Sequence, residues 1–183
     1  RASSVAVLAR APNAYIAMIE HLAGDDTALA AAVTTKFRAD LVTLDLFEQR
    51  DGIEGGLRWL HGRGLKLGIV ANQPQRKIDA MRRAGLAGYF ADLQMSEGIG
   101  LRKPDPAIFR HVCRALGMEP ALCIMVGDRV DNDIAPAKRL GMATIRVLTG
   151  RHRDQPMLTD DGRADFAVKD CDGLRVALEA MLS

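Results

Sequence analysis

Apolar residues follow two different spacings from residue 52 onward, and these spacings predict strands that alternate with helices. Short, nearly continuous apolar runs at 65–71, 122–126 and 143–148 are typical of strands covered on both faces, and weaker runs lie at 91–95 and 165–168. Helical spacing predicts helices over 53–61, 75–84, 106–116 and 134–140, and a last helix through Leu174, Leu178 and Met181. This alternation favours an α/β fold with parallel strands in a doubly wound sheet.

The first 50 residues or so lack this alternation and have a helical pattern instead. One helical stretch ends at Gly24, and its apolar residues are Tyr15, Ile16, Ile19 and Leu22. A second stretch runs over 29–37. We therefore predict two domains, a helical one over residues 1–51 and a core that contains the sheet over residues 52–183.

The composition is that of a folded protein without a nucleic-acid surface. Of the 183 residues, 48% are hydrophobic and 26% charged, which excludes a disordered chain. Lys and Arg total 25 against 23 Asp and Glu, and the net charge of +2 is too small to favour nucleic acid as a partner. No apolar run approaches the ~18 residues that a membrane-spanning helix needs. The cysteines Cys113, Cys123 and Cys171 form no CxxC pair, which indicates a reducing compartment, the cytoplasm.

The acidic turn after the most strongly predicted strand is the first candidate for chemistry. Ligand sites of parallel sheets lie beyond the carboxyl ends of the strands, and Asp128, Asp131 and Asp133 follow such an end closely. Gly127 allows a sharp turn, so that the carboxylates of Asp128 and Asp133 can meet. Carboxylate pairs suit Mg²⁺, which keeps water or substrate phosphate at its other positions. In the alternative interpretation, Asp133 and Asn132 only cap the following helix.

A second group of polar residues follows other strand ends. Asn72 and Gln73 come directly after the run at 65–71, and Lys103 lies in Lys103-Pro104-Asp105-Pro106, before a predicted helix. The prolines restrict the backbone around Lys103, so its ammonium group is expected to face the strand ends. A lysine beside a carboxylate-bound metal would hold an anionic phosphoryl group. The alternative is a solvated surface lysine, the usual position of this residue type.

In this order and at these separations, the motifs resemble those of the haloacid dehalogenase-like hydrolase superfamily. The resemblance rests on residues 67–73, 103–106 and 126–133 and covers about residues 50 to 183. It implies a Rossmann-like parallel sheet with helices on both faces and a helical cap, of which residues 1–51 would be a remnant. Members of the superfamily are mostly magnesium-dependent phosphatases, so the resemblance also implies Mg²⁺ as cofactor.

The resemblance implies roles for individual residues. Lys103 would stabilise the nucleophile and the phosphoryl group, Asp128 would ligate Mg²⁺, and Asp133 would support or complete the metal site. Ala71 stands where the family has Ser or Thr, whose hydroxyl donates a hydrogen bond to a phosphoryl oxygen. Asn72 and Gln73 would then take over part of the substrate contact, which places Asn72 beside Lys103 among the expected catalytic residues.

A second departure from the family concerns the nucleophile. The family carries Asp-x-Asp near its N-terminus, where one carboxylate attacks phosphorus and the other acts as general acid. No Asp-x-Asp precedes residue 71 in this chain. Asp45 lies too close to the next helix to serve, and the apolar run at 5–8 leads to Ala9 and Ala11 where carboxylates would be needed.

The family's nucleophile strand lies in the middle of the sheet, between the strands that here end at residues 71 and 126. Without it, two apolar strand edges would keep unpaired backbone groups, at a cost of about 1–3 kcal/mol for each buried group. We therefore expect the chain, which begins with Arg1, to be a fragment of a longer hydrolase, or the strand to come from elsewhere.

The expected function is that of a magnesium-dependent phosphatase acting on a small phosphorylated metabolite. Two alternatives stay open. One is a metal-independent dehalogenase of the same superfamily. The other is a non-catalytic member, which Ala71 and the missing nucleophile motif would explain; the oligomeric state is also open.

Overall fold

The structure is a computed structural model that describes residues 22–43, 51–157 and 159–182, with only the backbone described over 37–43 and at 151. The chain divides into two compact units, residues 1–46 and 47–183. Three predicted features lie outside the described residues: the apolar run at 5–8, most of the helical stretch from Tyr15 to Leu22, and Asp45.

In the first unit, the helix predicted over 29–37 is confirmed and is longer than predicted. Helix α1 spans Thr27–Thr43. Asp26 precedes it, and its Oδ1 accepts a hydrogen bond from the backbone N–H of Leu29 at 2.9 Å. A short polar side chain at this position satisfies one of the free N–H groups of a helix start.

The second unit contains a parallel three-stranded sheet, as the sequence predicts. Its strands are β1 (Ile124–Gly127), β2 (Ala143–Val147) and β3 (Phe166–Val168), in the order β1-β2-β3. Ile124 pairs with Ala143, and Ile145 pairs with Phe166. Because the strands are parallel, their carboxyl ends share one edge of the sheet.

Helices connect and cover the strands. They are α2 (Ile53–Gly62), α3 (Lys77–Arg83), α4 (Ser96–Ile99), α5 (Pro106–Leu116), α6 (Ala135–Arg139) and α7 (Cys171–Leu182). A π-helical turn over Val130–Ile134 precedes α6, and short 3₁₀ turns lie at Ala87–Tyr89, Pro120–Leu122, Gly150–His152 and Asp160–Gly162. None of the helices in the described ranges combines the length and hydropathy needed to cross a membrane.

The two faces of the sheet contribute to two apolar clusters. On one face, Met125 of β1 packs with Ile108 and Phe109 of α5 and with Ala137 of α6. On the other, Ile145 and Val168 pack with Ala177 and Leu178 of α7, and Trp59 and Leu60 of α2 lie against them. Helices therefore cover both faces, which confirms the doubly wound α/β prediction.

Two of the predicted strands do not form. In the described structure the segment at 65–71 forms one bridge, between Gly68 and Asp92. A few further backbone hydrogen bonds link residues 67–71 to 91–96, but neither run forms a strand. An apolar cavity of about 620 Å³ is lined by residues 64–70 on one side and 122–126 on the other. Since β1 lies beyond this cavity, the 65–71 segment cannot pair with it and stays half-buried.

The most strongly predicted strand, β1, is not the most buried strand in the structure. In β1 only Met125 is buried, and Val126 is 37% exposed. The central strand β2 buries Thr144, Ile145 and Arg146, because it has neighbours on both sides. Apolar content made β1 the stronger prediction, whereas position in the sheet determines burial.

A polar joint connects β2 to the start of β3. The backbone N–H and the hydroxyl of Thr144 both donate to Asp165 Oδ2 at 2.8 Å, and Lys138 Nζ donates to Oδ1 at 2.8 Å. Burial acts to raise the pKa of Asp165, but the hydrogen bonds from Lys138 and Thr144 outweigh it and hold the pKa below its usual value. The ionised carboxylate therefore stabilises the folded state.

We predict that Asp165→Asn lowers the free energy of unfolding by about 1 kcal/mol at pH 7, because the side chain is 39% exposed and solvent weakens the ion pair. The folded-state pKa is lowered, so this contribution is present above the unfolded pKa of ~3.9 and is lost as pH falls through the folded value. Urea unfolding at pH 7 and below pH 3 measures the difference. Asp154→Asn, at a side chain 87% exposed, is the matched control and should stay within about 0.5 kcal/mol of the unsubstituted protein. A constant difference at both pH values would contradict the prediction.

Candidate functional site

A buried ion pair joins two of the predicted site residues. Lys103 Nζ donates to Asp133 Oδ1 at 2.6 Å, and the two side chains are only 13% and 3% exposed. Lys103 is therefore not a solvated surface lysine. The pair connects the loop before α5 with the turn after β1, although these segments lie 30 residues apart in the chain.

The side chain of Asn72 forms hydrogen bonds with both the carbonyl and the N–H of Lys103. Its Nδ2 donates to the carbonyl of Lys103 at 2.9 Å, and its Oδ1 accepts from the N–H of Lys103 at 2.8 Å. The segment that ends at residue 71 is thereby fastened to the lysine loop. Because both amide atoms contact the Lys103 backbone, this geometry supports a positioning role for Asn72, and its direct contact with substrate stays a prediction.

Gly127 allows the turn after β1 to close tightly on Asp133. A Cβ at position 127 would lie 2.5 Å from Asp133 Cβ and 2.6 Å from Oδ2, far inside van der Waals contact. Asp133 Oδ2 also accepts from the N–H of Arg129 at 3.0 Å. Because Oδ1 accepts from Lys103, both carboxylate oxygens of Asp133 are already hydrogen-bonded. This favours the supporting role of Asp133 over that of a metal ligand.

Asp128 has a different environment from Asp133. Its side chain is half-buried and makes no hydrogen bond or ion pair with another described residue. It lines an open cavity of about 940 Å³ at the carboxyl edge of the sheet, together with Thr149, Lys169 and Asp170. Its carboxylate is therefore available to a ligand.

These residues offer few ligands to a metal. Within the described ranges, no three His, Cys, Asp or Glu side chains come together as a metal-binding group. The donor set fits Mg²⁺ held by one or two carboxylates with water and substrate oxygens, which is how this ion often binds in phosphoryl-transfer sites. It does not fit a cation enclosed by protein ligands alone.

The other residues expected to bind substrate have mixed environments. Ala71 packs against the apolar cluster of Ile78, Met81 and Met95, which explains why an alanine fits there. The side chain of Gln73 is exposed, while its backbone carbonyl accepts from Ser96 Oγ at 3.3 Å. Their role toward a substrate stays a prediction.

Sequence reasoning missed Gln155, whose side chain joins a hydrogen-bond network at the acidic turn. Gln155 Oε1 accepts from the N–H of Val130 at 2.9 Å, and its Nε2 donates to Asp131 Oδ1 at 2.8 Å. Arg129 also pairs with Asp131. Burial acts to raise the pKa of Asp131, but the hydrogen bonds from Arg129 and Gln155 prevail and lower it. The carboxylate of Asp131 is thus occupied by hydrogen bonds within the protein, whereas that of Asp128 makes none with a described residue.

Arg146 was also missed, because a charged residue in a predicted strand gave no signal of burial. It is only 5% exposed, and its guanidinium Nη2 donates to the carbonyls of His152, Arg153 and Gln155 at 2.9–3.2 Å. These bonds fold the loop after β2 back onto the sheet. Through Gln155, the same loop holds the acidic turn.

Comparisons with known proteins agree with this architecture. A family model described as haloacid dehalogenase-like hydrolase matches residues 5–141, a range that begins well upstream of residue 50, where the sequence motifs suggested the resemblance starts. The chain is 37% identical over 113 residues to a glyceraldehyde 3-phosphate phosphatase from Methanopyrus kandleri, covering 61% of this chain and 48% of that protein. The chain spans about half the length of the curated relatives it matches.

Two solved structures share the fold. A haloacid dehalogenase-type (HAD) phosphatase from Thermococcus onnurineus superposes with a TM-score of 0.65 at 28% identity, covering 78% of this chain and 69% of that one. A 2-haloacid dehalogenase from Pseudomonas syringae superposes with a TM-score of 0.64 at 23% identity, covering 97% and 72%. The second similarity concerns the fold alone. From its parallel sheet and the family match over most of its length, the chain belongs to the haloacid dehalogenase-like hydrolases.

Proposed function

We propose that this chain carries the phosphate-binding and metal-binding part of a magnesium-dependent phosphatase. The observation that supports this most strongly is the contrast between two carboxylates of one turn. Asp133 accepts hydrogen bonds from Lys103 and from a backbone N–H. Asp128 makes no hydrogen bond or ion pair among the described residues, interacts electrostatically with Arg129, and borders the open cavity at the sheet edge. An ammonium group held on the same turn as an available carboxylate suits an anion bound together with a cation.

Each residue has a distinct role in this proposal. Lys103 binds the phosphoryl oxygens and spreads their charge, and Asn72 holds the Lys103 backbone in position. Asp128 holds Mg²⁺, which would supply Lewis-acid stabilisation of the phosphoryl oxygens. Asp133 orients Lys103 and the turn, and Ala71, Asn72 and Gln73 border the substrate. Residues 1–51 serve as a remnant of a cap, and residues 52–183 form the hydrolase core.

The proposed substrate is a small phosphorylated metabolite, because the relative from Methanopyrus kandleri is a glyceraldehyde 3-phosphate phosphatase. The unpaired thiols of Cys113, Cys123 and Cys171 support the cytoplasm as its compartment. Two alternatives remain testable. A metal-independent dehalogenase would not need Asp128. A non-catalytic member would bind phosphate without turnover, as Ala71 and the lack of an Asp-x-Asp motif before residue 71 would explain.

The first test measures phosphate release from glyceraldehyde 3-phosphate and other small phosphate monoesters, with Mg²⁺ and with EDTA. We expect Mg²⁺-dependent release when the nucleophilic Asp-x-Asp segment is supplied, because the phosphate- and metal-binding residues described here include no nucleophile. We also expect Asp128→Asn to weaken Mg²⁺ binding, followed by calorimetry in the presence of inorganic phosphate, by about tenfold or more, because a neutral amide is a poor ligand for this ion.

Asp131→Asn is the matched control, because Asp131 lies in the same turn but is committed to Arg129 and Gln155. Its Mg²⁺ affinity should stay within about twofold of the unsubstituted protein, as expected for loss of a partly exposed ion pair. Equal loss in both variants would refute Asp128 as the ligand. Phosphate binding without turnover would support the non-catalytic alternative, and halide release insensitive to EDTA would support the dehalogenase.

The second test separates structural and functional roles of the buried pair. Lys103→Met should lower the free energy of unfolding by about 3 kcal/mol, because it leaves the Asp133 charge buried and unpaired. The double variant Lys103→Met with Asp133→Asn removes that charge and should recover at least half of the loss in urea unfolding. Both variants should lose binding of inorganic phosphate.

Asp133→Asn alone is the reference for this comparison, because its lysine is retained and its amide oxygen can still accept from Arg129. If the double variant regains stability and also binds phosphate as the unsubstituted protein does, Lys103 serves packing alone. The proposed role of its ammonium group would then be abandoned.

A further inference from the structure

Two of the three cysteine thiols are in contact, at the end of β1 opposite to the candidate site. Cys113 Sγ lies 3.7 Å from Cys123 Sγ, and the Cys113 thiol donates to the Cys123 sulfur. Cys113 belongs to α5, and Cys123 directly precedes β1. Because β1 runs from Cys123 toward Gly127, the sulfur pair lies at the amino end of the strand and the acidic turn at its carboxyl end.

The two thiols differ in access, and the surroundings of Cys113 change the pKa of its thiol. Cys113 is 4% exposed, and burial, followed by the neighbouring Cys123, raises the pKa of its thiol to about 12. Cys113 is therefore protonated at neutral pH and a weak nucleophile toward an oxidant. Both cysteines line the apolar cavity beside β1, but Cys123 is only half-buried, and its thiol donates to the carbonyl of Glu119 at 3.4 Å. An oxidant therefore reaches Cys123 first.

We propose that Cys113 and Cys123 form a reversible disulfide when the protein meets a hydroperoxide. The sulfur atoms must approach by about 1.7 Å to reach the S–S bond length of about 2.04 Å, a distance that side-chain rotation can cover. This site is separate from the residues of the proposed phosphatase function.

The reaction proceeds in two balanced steps. The Cys123 thiolate attacks the peroxide oxygen, the O–O bond breaks, and the products are a Cys123 sulfenic acid and, after proton uptake, water or an alcohol. The Cys113 sulfur then attacks the sulfenic sulfur. The S–S bond forms, the S–O bond breaks, and the Cys113 proton leaves with the hydroxyl group as water.

Such a bond would join the elements that lead to the two halves of the candidate site. Helix α5 begins at Pro106, three positions after Lys103, and β1 ends at Gly127, directly before Asp128. A crosslink between them restricts the unfolded chain and adds no group to the site itself. We expect oxidation to stabilise the core without altering binding of inorganic phosphate.

The test treats the whole purified chain with a small excess of hydrogen peroxide and maps the product by peptide mass spectrometry without reduction. We expect a peptide pair joined through Cys113 and Cys123, a fall in titratable thiols from three to one, and a rise in Tm of about 5 °C. Dithiothreitol should restore all three thiols and the original Tm.

Cys171→Ser is the matched control, because the Cys171 thiol donates to the carbonyl of Asp51 and touches neither of the other two sulfurs. It should still form the crosslink, whereas Cys123→Ser and Cys113→Ala should not. The peptide map of the unsubstituted protein decides the question even if a core variant fails to fold. Oxidation that stops at a Cys123 sulfinic acid, or that gives only disulfides between chains, would overturn the proposal.

Discussion

The contact between Lys103 and Asp133 determines how the candidate site is built. A carboxylate that is 3% exposed requires a cation or strong hydrogen-bond donors, because an unpaired buried charge is costly. Here the ammonium group supplies the charge, and the N–H of Arg129 supplies the second bond. Three segments of the chain, those ending at Asn72, preceding α5 and following β1, are consequently held at one place. This arrangement, together with the contacts of Gln155 to Val130 and Asp131, fixes the turn that carries the available carboxylate of Asp128.

The sheet positions these segments, but its strand β1 is paired along one edge only. Strand β2 is hydrogen-bonded on both edges and buries its central residues, whereas β1 borders the apolar cavity with its other edge. The site residues come from segments on both sides of that cavity, Asn72 from one and Asp133 from the other. Side-chain hydrogen bonds, and not a β-ladder, therefore connect the two halves of the core at the site.

Local patterns predicted most elements of the core because those patterns have local causes. Helix α5 begins and ends at the predicted residues, with Asp105 and Pro106 at its start and Gly117 in the left-handed conformation after its end. Pairing between distant segments has no such local signal, which is why the apolar run at 65–71 was wrongly predicted as a strand. The motifs brought Lys103, Asn72 and Asp133 to attention, and the structure brings these three together. Arg146 and Gln155 could not be found in this way. Arg146 donates to backbone carbonyls, and Gln155 contacts a backbone N–H and the distant side chain of Asp131, and no local sequence pattern identifies such partners.

The side-chain amide of Asn72 takes the place of a backbone peptide group. Its carboxamide donates to the carbonyl and accepts from the N–H of one residue, which is the pattern that a neighbouring strand offers across a sheet. A primary amide can reproduce this double contact, whereas a carboxylate lacks the donor and a hydroxyl lacks the reach. The lysine loop thus gains the order of a paired strand while its side chain stays directed at Asp133 instead of into a pleated surface. A loop held by these two hydrogen bonds can diverge in sequence on either side of Lys103, provided that the amide at position 72 is kept.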